Sequence, residues 1–295
     1  MLVRTARKLT IVVAAAVALA GCGGGDDNSS SSKASSVGKD SKVAGEVPAA
    51  KKNETLKVAA DATYPPNEYV AANGKTVIGV DPDLAKALGR VMGVKVKVVN
   101  ATFEAIIPGL AAGKYDLGMS SFTDTREREK TVDFVTYFEA GTSFYEKAGG
   151  PKINGLADLC GHKVAVEKGT TQADDANAQT KKCKAAGKPG VNVLTFPDQN
   201  GANLALSSGR GDIGMADSPV ASYQVKKSNG QFKLVGKDYG PFPYGIAIPK
   251  GSGLVKPVQD GLKVLISKGT YQAILKKWGV ERGGIDNPKV NAAIS

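Results

Sequence analysis

The chain has 295 residues, more than one compact domain usually holds, and 42% hydrophobic residues, so two lobes with sizeable cores are expected. Its formal net charge is +11, but the basic residues are scattered, with no arginine-rich run and no interleaved aromatics, which argues against nucleic-acid binding. A single histidine, His162, and three cysteines without a CxxC pair argue against a metal site and against a Ser-His-Asp triad.

The N-terminus reads as a targeting segment. Arg4, Arg7 and Lys8 precede an apolar run over 9–20 that is short for a membrane span, as in a signal peptide. Leu19-Ala20-Gly21-Cys22 follows, similar to a bacterial lipobox, in which Cys22 receives the lipid (palmitate) and residues 1–21 are removed. The mature chain then carries +8, a charge suited to an anionic envelope. Residues 22–54 are glycine, serine and charge with almost no bulky apolar residue, and are expected to form a flexible tether. Cys160 and Cys183 are an even pair in an exported chain and are expected to form a disulfide closing a 24-residue loop.

From residue 56 strands and helices alternate. Residues 56–60 form an apolar strand ending at Asp61, followed by the turn Ala62-Thr63-Tyr64-Pro65-Pro66. Asp81 is the expected N-cap of a helix with Pro82 at its first position, and Leu84, Ala87, Leu88 and Val91 mark its buried face. Val94, Val96 and Val98 alternate with lysines in a half-buried strand; 103–111 is a helix and 117–119 a strand. This β-α-β-α-β order predicts a parallel sheet with ligand at the carboxyl ends of its strands. A second unit follows, with strands over 163–167, 191–196 and 212–216 and a helix over 203–208.

The strand at 117–119 runs into Ser120, Ser121 and Thr123 and then a short helix capped by Thr125, with Arg128 on its first turn. Hydroxyls, free N–H groups and a guanidinium suit a small carboxylate; the alternative is a surface helix of alternating charges. The chain also echoes itself: LAAGKYDLGMSS at 110–121 and LSSGRGDIGMAD at 206–217 share five of twelve positions. The echo sets Ser121 and Asp217 at equivalent strand ends. Asp217 suits an ammonium, or it only caps the helix at Ser218-Pro219; Thr170 and Thr171 add donors for the carboxylate, or only start a helix. Together these groups would satisfy a small zwitterion.

Over about 56–278 the chain resembles the solute-binding proteins of polar amino-acid ABC transporters, the bacterial extracellular family 3 type. The motifs that carry this are Asp61-Ala62-Thr63-Tyr64-Pro65-Pro66 with Glu68; Gly79-Val80-Asp81-Pro82-Asp83-Leu84; Ser121-Phe122-Thr123 leading to Arg128; Gly169-Thr170-Thr171; Asp212 with Asp217; Tyr244-Gly245-Ile246-Ala247; and Lys276-Lys277-Trp278. The resemblance implies an α/β, two-lobe periplasmic-binding-protein-like fold (type II), each lobe a mostly parallel sheet flanked by helices, joined by two hinge strands. The first lobe would be 55–144 plus 239–295, with 145–238 inserted as the second. Arg128 and Thr123 would clamp an α-carboxylate, with Thr171 donating from the other lobe. The Ser121 carbonyl would accept from the α-amino group and Asp217 would pair with it, while Asp61, Tyr64 and Phe103 would line the side-chain pocket. Asn67 stands where the family usually has phenylalanine, and the loss of a usual proline near Thr125 makes Arg126 a rival to Arg128, although spacing from Thr123 favours Arg128.

The implied function is binding of a free polar amino acid, glutamine or a basic one favoured because Asp61 would repel an acidic side chain. Delivery to the permease subunits of an ABC transporter would follow by cleft closure, from a lipid-anchored monomer on the outer face of the membrane. No cofactor is implied and no enzyme activity expected. The alternatives are a ligand-sensing lipoprotein without transport, and a dehydratase on the same fold with Glu167 as cleft acid or base.

Overall fold

The computed structural model describes residues 37–294. The expected signal peptide, Cys22 and the first part of the expected tether lie outside the described residues. In chain order the elements are α1 (Ser41–Glu46), β1 (Thr55–Ala60), β2 (Thr63–Tyr64), β3 (Glu68–Val70), β4 (Val77–Ile78), α2 (Val80–Met92), β5 (Lys95–Asn100), α3 (Phe103–Ala111), β6 (Leu117–Gly118), α4 (Arg126–Glu129) and β7 (Val132–Lys147). They continue with β8 (Lys163–Glu167), α5 (Thr171–Ala185), β9 (Asn192–Phe196), α6 (Gln199–Ser207), β10 (Ile213–Asp217), α7 (Ser218–Lys227), β11 (Phe232–Pro249), α8 (Val255–Ser267) and α9 (Thr270–Trp278).

Eight strands form one sheet in the order β5-β1-β6-β11-β7-β10-β8-β9. At one end β1 pairs in parallel with β5 and β6; at the other β8 pairs in parallel with β9 and β10. Each end is thus a parallel three-stranded unit with its first strand in the middle. The long antiparallel strands β7 and β11 run between the two units.

The sequence echo has a structural cause. After α3, Gly113 turns the chain at φ 71°, and after α6 Gly209 does so at φ 75°, the left-handed turn that glycine makes without a Cβ penalty. Three residues on, the Asp116 carboxylate accepts the Lys57 N–H at 2.8 Å, and the Asp212 carboxylate accepts the Lys163 N–H at 2.8 Å. Each aspartate also donates its own N–H to the carbonyl of that same lysine. The shared Gly-x-x-Asp spacing pins each third strand to the start of its first, which places Ser121 and Asp217 at corresponding ends.

The expected helix after Gly79 forms, with one difference. Gly79 is the N-cap, at φ +137°, where a Cβ would meet the Asn67 carbonyl at 2.1 Å. Asp81 lies inside the first turn and turns its carboxylate inward instead of capping. Leu84, Ala87, Leu88 and Val91 are all buried, as their spacing predicts.

The tether does not extend to residue 54. The Asp40 carboxylate accepts the N–H groups of Lys42 and Val43 at 3.0 Å, capping α1, and Val43 and Val47 are each 2% exposed in the core shared with Leu88, Val91 and Leu262. Two valines four residues apart bury enough surface to fix a short helix that composition alone reads as linker. The Cys160–Cys183 disulfide is present, tying the turn before β8 to the end of α5.

Candidate functional site

Arg128, on the four-residue α4, is held where the two units meet. The Thr125 hydroxyl caps the turn by accepting the Arg128 N–H, and one guanidinium N–H group donates to the Thr123 carbonyl at 2.8 Å. Another donates across to the Gly169 carbonyl at 3.0 Å, on the loop after β8. The guanidinium lies over the Phe103 and Phe122 rings, whose centroids are 4.5 Å apart. Arg126 points to solvent. A helix this short contributes little dipole, so the guanidinium itself carries the positive potential.

Opposite stands Asp217, at the end of β10. It occupies the N-cap position of α7 but makes no side-chain cap bond; its carboxylate accepts from Gln172 Nε2 at 2.8 Å. Gln172 also donates to the Thr142 hydroxyl at 2.9 Å, so it is fixed between strand β7 and the acid. Burial pushes the Asp217 carboxyl up to about 6, against the pull of Tyr244, Gln172 and Arg128. Arg128 and Asp217 thus act on each other across the same space. A cavity there is lined by Tyr64, Thr170, Gln172, Gln199 and Asp217.

The remaining expected residues divide. Tyr64 and Phe103 meet edge to face at 5.9 Å, making an apolar wall. Ser121 is buried at φ 51°, and its side chain turns away from the cavity: its N–H donates to Asp81, its hydroxyl to Glu68, and Asn67 donates to that hydroxyl at 2.9 Å. Asn67, where the family usually has phenylalanine, therefore supports the Ser121 turn. Burial and the neighbouring acid push Glu68 well above the usual carboxyl range, and burial pushes Asp81 up to about 6 while the Tyr137 hydroxyl donates to it at 2.7 Å. The Thr170 hydroxyl caps α5 and donates to the Glu167 carbonyl; Thr171 is half-buried at the first helical position.

Asp61 is buried, but both of its oxygens are occupied, one by the Thr63 hydroxyl at 2.7 Å and the other by the Phe103 N–H at 3.0 Å. Through the Phe103 N–H it stabilises the start of α3. Sequence reasoning did not place Gln172, Gln199, Tyr244 or Asp198 here. The Gln199 amide donates to the Tyr145 hydroxyl, and its backbone N–H donates to the Thr63 hydroxyl at 3.3 Å, joining α6 to β2. Gln172 was legible in principle, as the residue beside Thr171 on the first turn of a helix aimed at the site.

Among the described residues no group of three or more acidic, histidine or cysteine side chains is arranged to hold a metal ion, and no helix is long and apolar enough to cross a membrane.

The arginine-binding protein ArgT of Corynebacterium glutamicum is 33% identical over 237 residues, covering 80% of this chain and 78% of that one. The glutamine-binding protein GlnH of an ABC transporter in Bacillus subtilis is 36% identical over 206 residues, covering 68% and 72%. An ancestral arginine-binding protein bound to arginine superposes with a TM-score of 0.70 at 40% identity, covering 76% of this chain and 97% of that one. The fold is the α/β, two-lobe, type II periplasmic-binding-protein architecture that the motifs implied. Residues 56–281 match the description of one family throughout, and the chain belongs to the bacterial extracellular solute-binding proteins, family 3.

Proposed function

We propose that this protein captures a free polar amino acid and delivers it to the permease of an ABC transporter. The observation that carries the reading is a guanidinium and a carboxylate brought together where the two units meet: Arg128 reaches across to the Gly169 carbonyl, and Asp217 lines the cavity there with Gln172. A guanidinium binds a carboxylate by two parallel N–H bonds, and a buried carboxylate pairs with an ammonium. An α-amino acid offers both at a fixed separation, so only a zwitterion satisfies the two sides together.

On this reading Arg128 and Thr123 hold the α-carboxylate, with Thr170 and Thr171 contributing from the opposite side. Asp217 and the Ser121 carbonyl hold the α-ammonium, and Tyr64 and Phe103 wall the side chain. The lobes are 55–144 with 239–295, and 145–238. They close on the ligand about β7 and β11, and the closed form is what the permease meets. Cys22 anchors a monomer by lipid at the outer face of the membrane. The protein is a binder and not an enzyme, in keeping with the binding proteins it is similar to, one of which is named for arginine and one for glutamine.

The test is a thermal-shift panel of the twenty amino acids with ornithine and citrulline, on protein refolded free of carried-over ligand. At a thousand times its dissociation constant a ligand adds about 4 kcal/mol, a shift on the order of ten degrees for a chain of this size. A shift with a polar amino acid that disappears in Arg128→Ala supports the reading. A flat panel refutes it.

A further inference from the structure

We propose that Glu167 selects the ligand, pairing with a cationic group, a guanidinium or ammonium, at the far end of its side chain; this assignment rests on the amino-acid-binding reading above. Glu167 ends β8 and is 1% exposed. Neither of its carboxylate oxygens makes a well-formed hydrogen bond; the Tyr64 hydroxyl, likewise unpaired, stands close enough to act on it but no cation does. A buried carboxyl so poorly partnered is rare, because its desolvation goes uncompensated. The Glu167 backbone is fixed by the Thr170 hydroxyl, which donates to its carbonyl at 2.8 Å, and its side chain lies beside Tyr64, which with Thr170 lines the cavity.

The acids around it leave a charge unmatched. The α-carboxylate of a ligand answers Arg128 and its α-ammonium answers Asp217. Asp61 is satisfied by the Thr63 hydroxyl and the Phe103 N–H. Glu167 remains, and the charges acting most strongly on it are Asp61, Asp198 and Asp217, all anionic. Among these groups the Tyr64 phenol alone favours its ionised form. A second positive charge on the ligand, at the end of its side chain, provides the missing partner. A guanidinium offers two parallel N–H bonds to the two orphaned oxygens, while the Tyr64 and Phe103 rings cover its apolar stem.

Burial and the surrounding acids push the Glu167 carboxyl up to about 9, so at neutral pH the protein without ligand holds it protonated. An arriving cation favours the carboxylate, and the proton leaves to solvent. A neutral amide side chain has no such effect. Arginine and lysine therefore release a proton on binding, and glutamine does not.

The experiment is isothermal titration of the wild type and Glu167→Gln with arginine, lysine and glutamine, in two buffers of different ionisation enthalpy at pH 7. We expect arginine to release up to about one proton from the wild type. Glu167→Gln should weaken arginine roughly thirtyfold or more, as removal of one partner of a buried charge pair does, while glutamine changes by less than about threefold. Retained glutamine binding shows that the variant is folded, and the wild-type proton count stands without any variant. Arginine bound by Glu167→Gln as tightly as by the wild type, or with no proton released from the wild type, overturns the assignment and leaves the amino-acid reading intact. No heat from any amino acid with the wild type overturns both.

Discussion

Asp217→Asn separates the ammonium pair from everything else in the site. The substitution keeps the shape and leaves an amide oxygen for Gln172, which donates to Asp217 at 2.8 Å, so the local structure should survive. It removes the anion that a ligand ammonium needs. Losing one member of a buried, hydrogen-bonded charge pair costs about 2–5 kcal/mol, a loss of affinity of roughly thirtyfold to several thousandfold. The pH dependence gives a second reading. The carboxyl is pushed up to about 6, so it is ionised at pH 7 and increasingly protonated below 6. Affinity for a zwitterion should then weaken about tenfold for each pH unit below 6. Glutamine is the ligand to use, because its neutral side chain leaves Glu167 out of the titration. Stability runs the opposite way. A folded value raised from 3.8 to about 6 lowers stability as pH climbs through that window, by about 3 kcal/mol at most. Asp217→Asn should therefore melt higher than the wild type at pH 7 while binding far more weakly. Calorimetry with glutamine from pH 4.5 to 8, beside melting curves, checks both. Affinity that stays flat down to pH 4.5, or an asparagine variant that binds normally, would refute the pairing.

Two further outcomes concern the scaffold. Reducing Cys160–Cys183, or replacing both with serine, should lower stability by roughly 3 kcal/mol through the entropy of the released loop, measured by urea unfolding with and without dithiothreitol. Replacing Val43 and Val47 together with alanine removes four buried methyl groups and should cost about 3 kcal/mol in the same assay. An unchanged midpoint would mean that α1 adds nothing to the core it packs on.

Much of this was legible in the sequence, for identifiable reasons. Periodicity gave α2 and its buried face, since Leu84, Ala87, Leu88 and Val91 fall on one stripe. The echo located Ser121 and Asp217, because a positive-φ glycine and a strand-pinning aspartate leave a local signature. Spacing from Thr123 favoured Arg128 over Arg126, and the structure turns Arg128 inward and leaves Arg126 exposed. What was not legible depends on long-range contacts. Nothing local in 41–47 says that Val43 and Val47 meet α8, and nothing beside Asp61 says that its oxygens are taken by Thr63 and Phe103. Whether Glu167 is a solitary buried acid depends on residues from three separate stretches of chain.

The β7–β11 ladder is not symmetric in its construction. Between Phe144 and Phe138 strand β7 advances evenly, pairing at Phe144, Thr142, Ala140 and Phe138. Its partner covers the same span from Val235 to Tyr244, slipping register between Val235 and Tyr239 and again between Tyr239 and Phe242. Over this span the slack sits in β11, and the one extra residue on β7 comes beyond it, between Phe138 and Thr136. In the proposed closure strand β7 would act as the stiffer pin over this span, and the 236–241 stretch of β11 as a loose leaf that takes up rotation between the two ends of the sheet. Mechanically the crossings are not interchangeable. Lengthening the leaf changes how far the two ends can turn, whereas lengthening the pin by one residue flips every side chain beyond it to the opposite face.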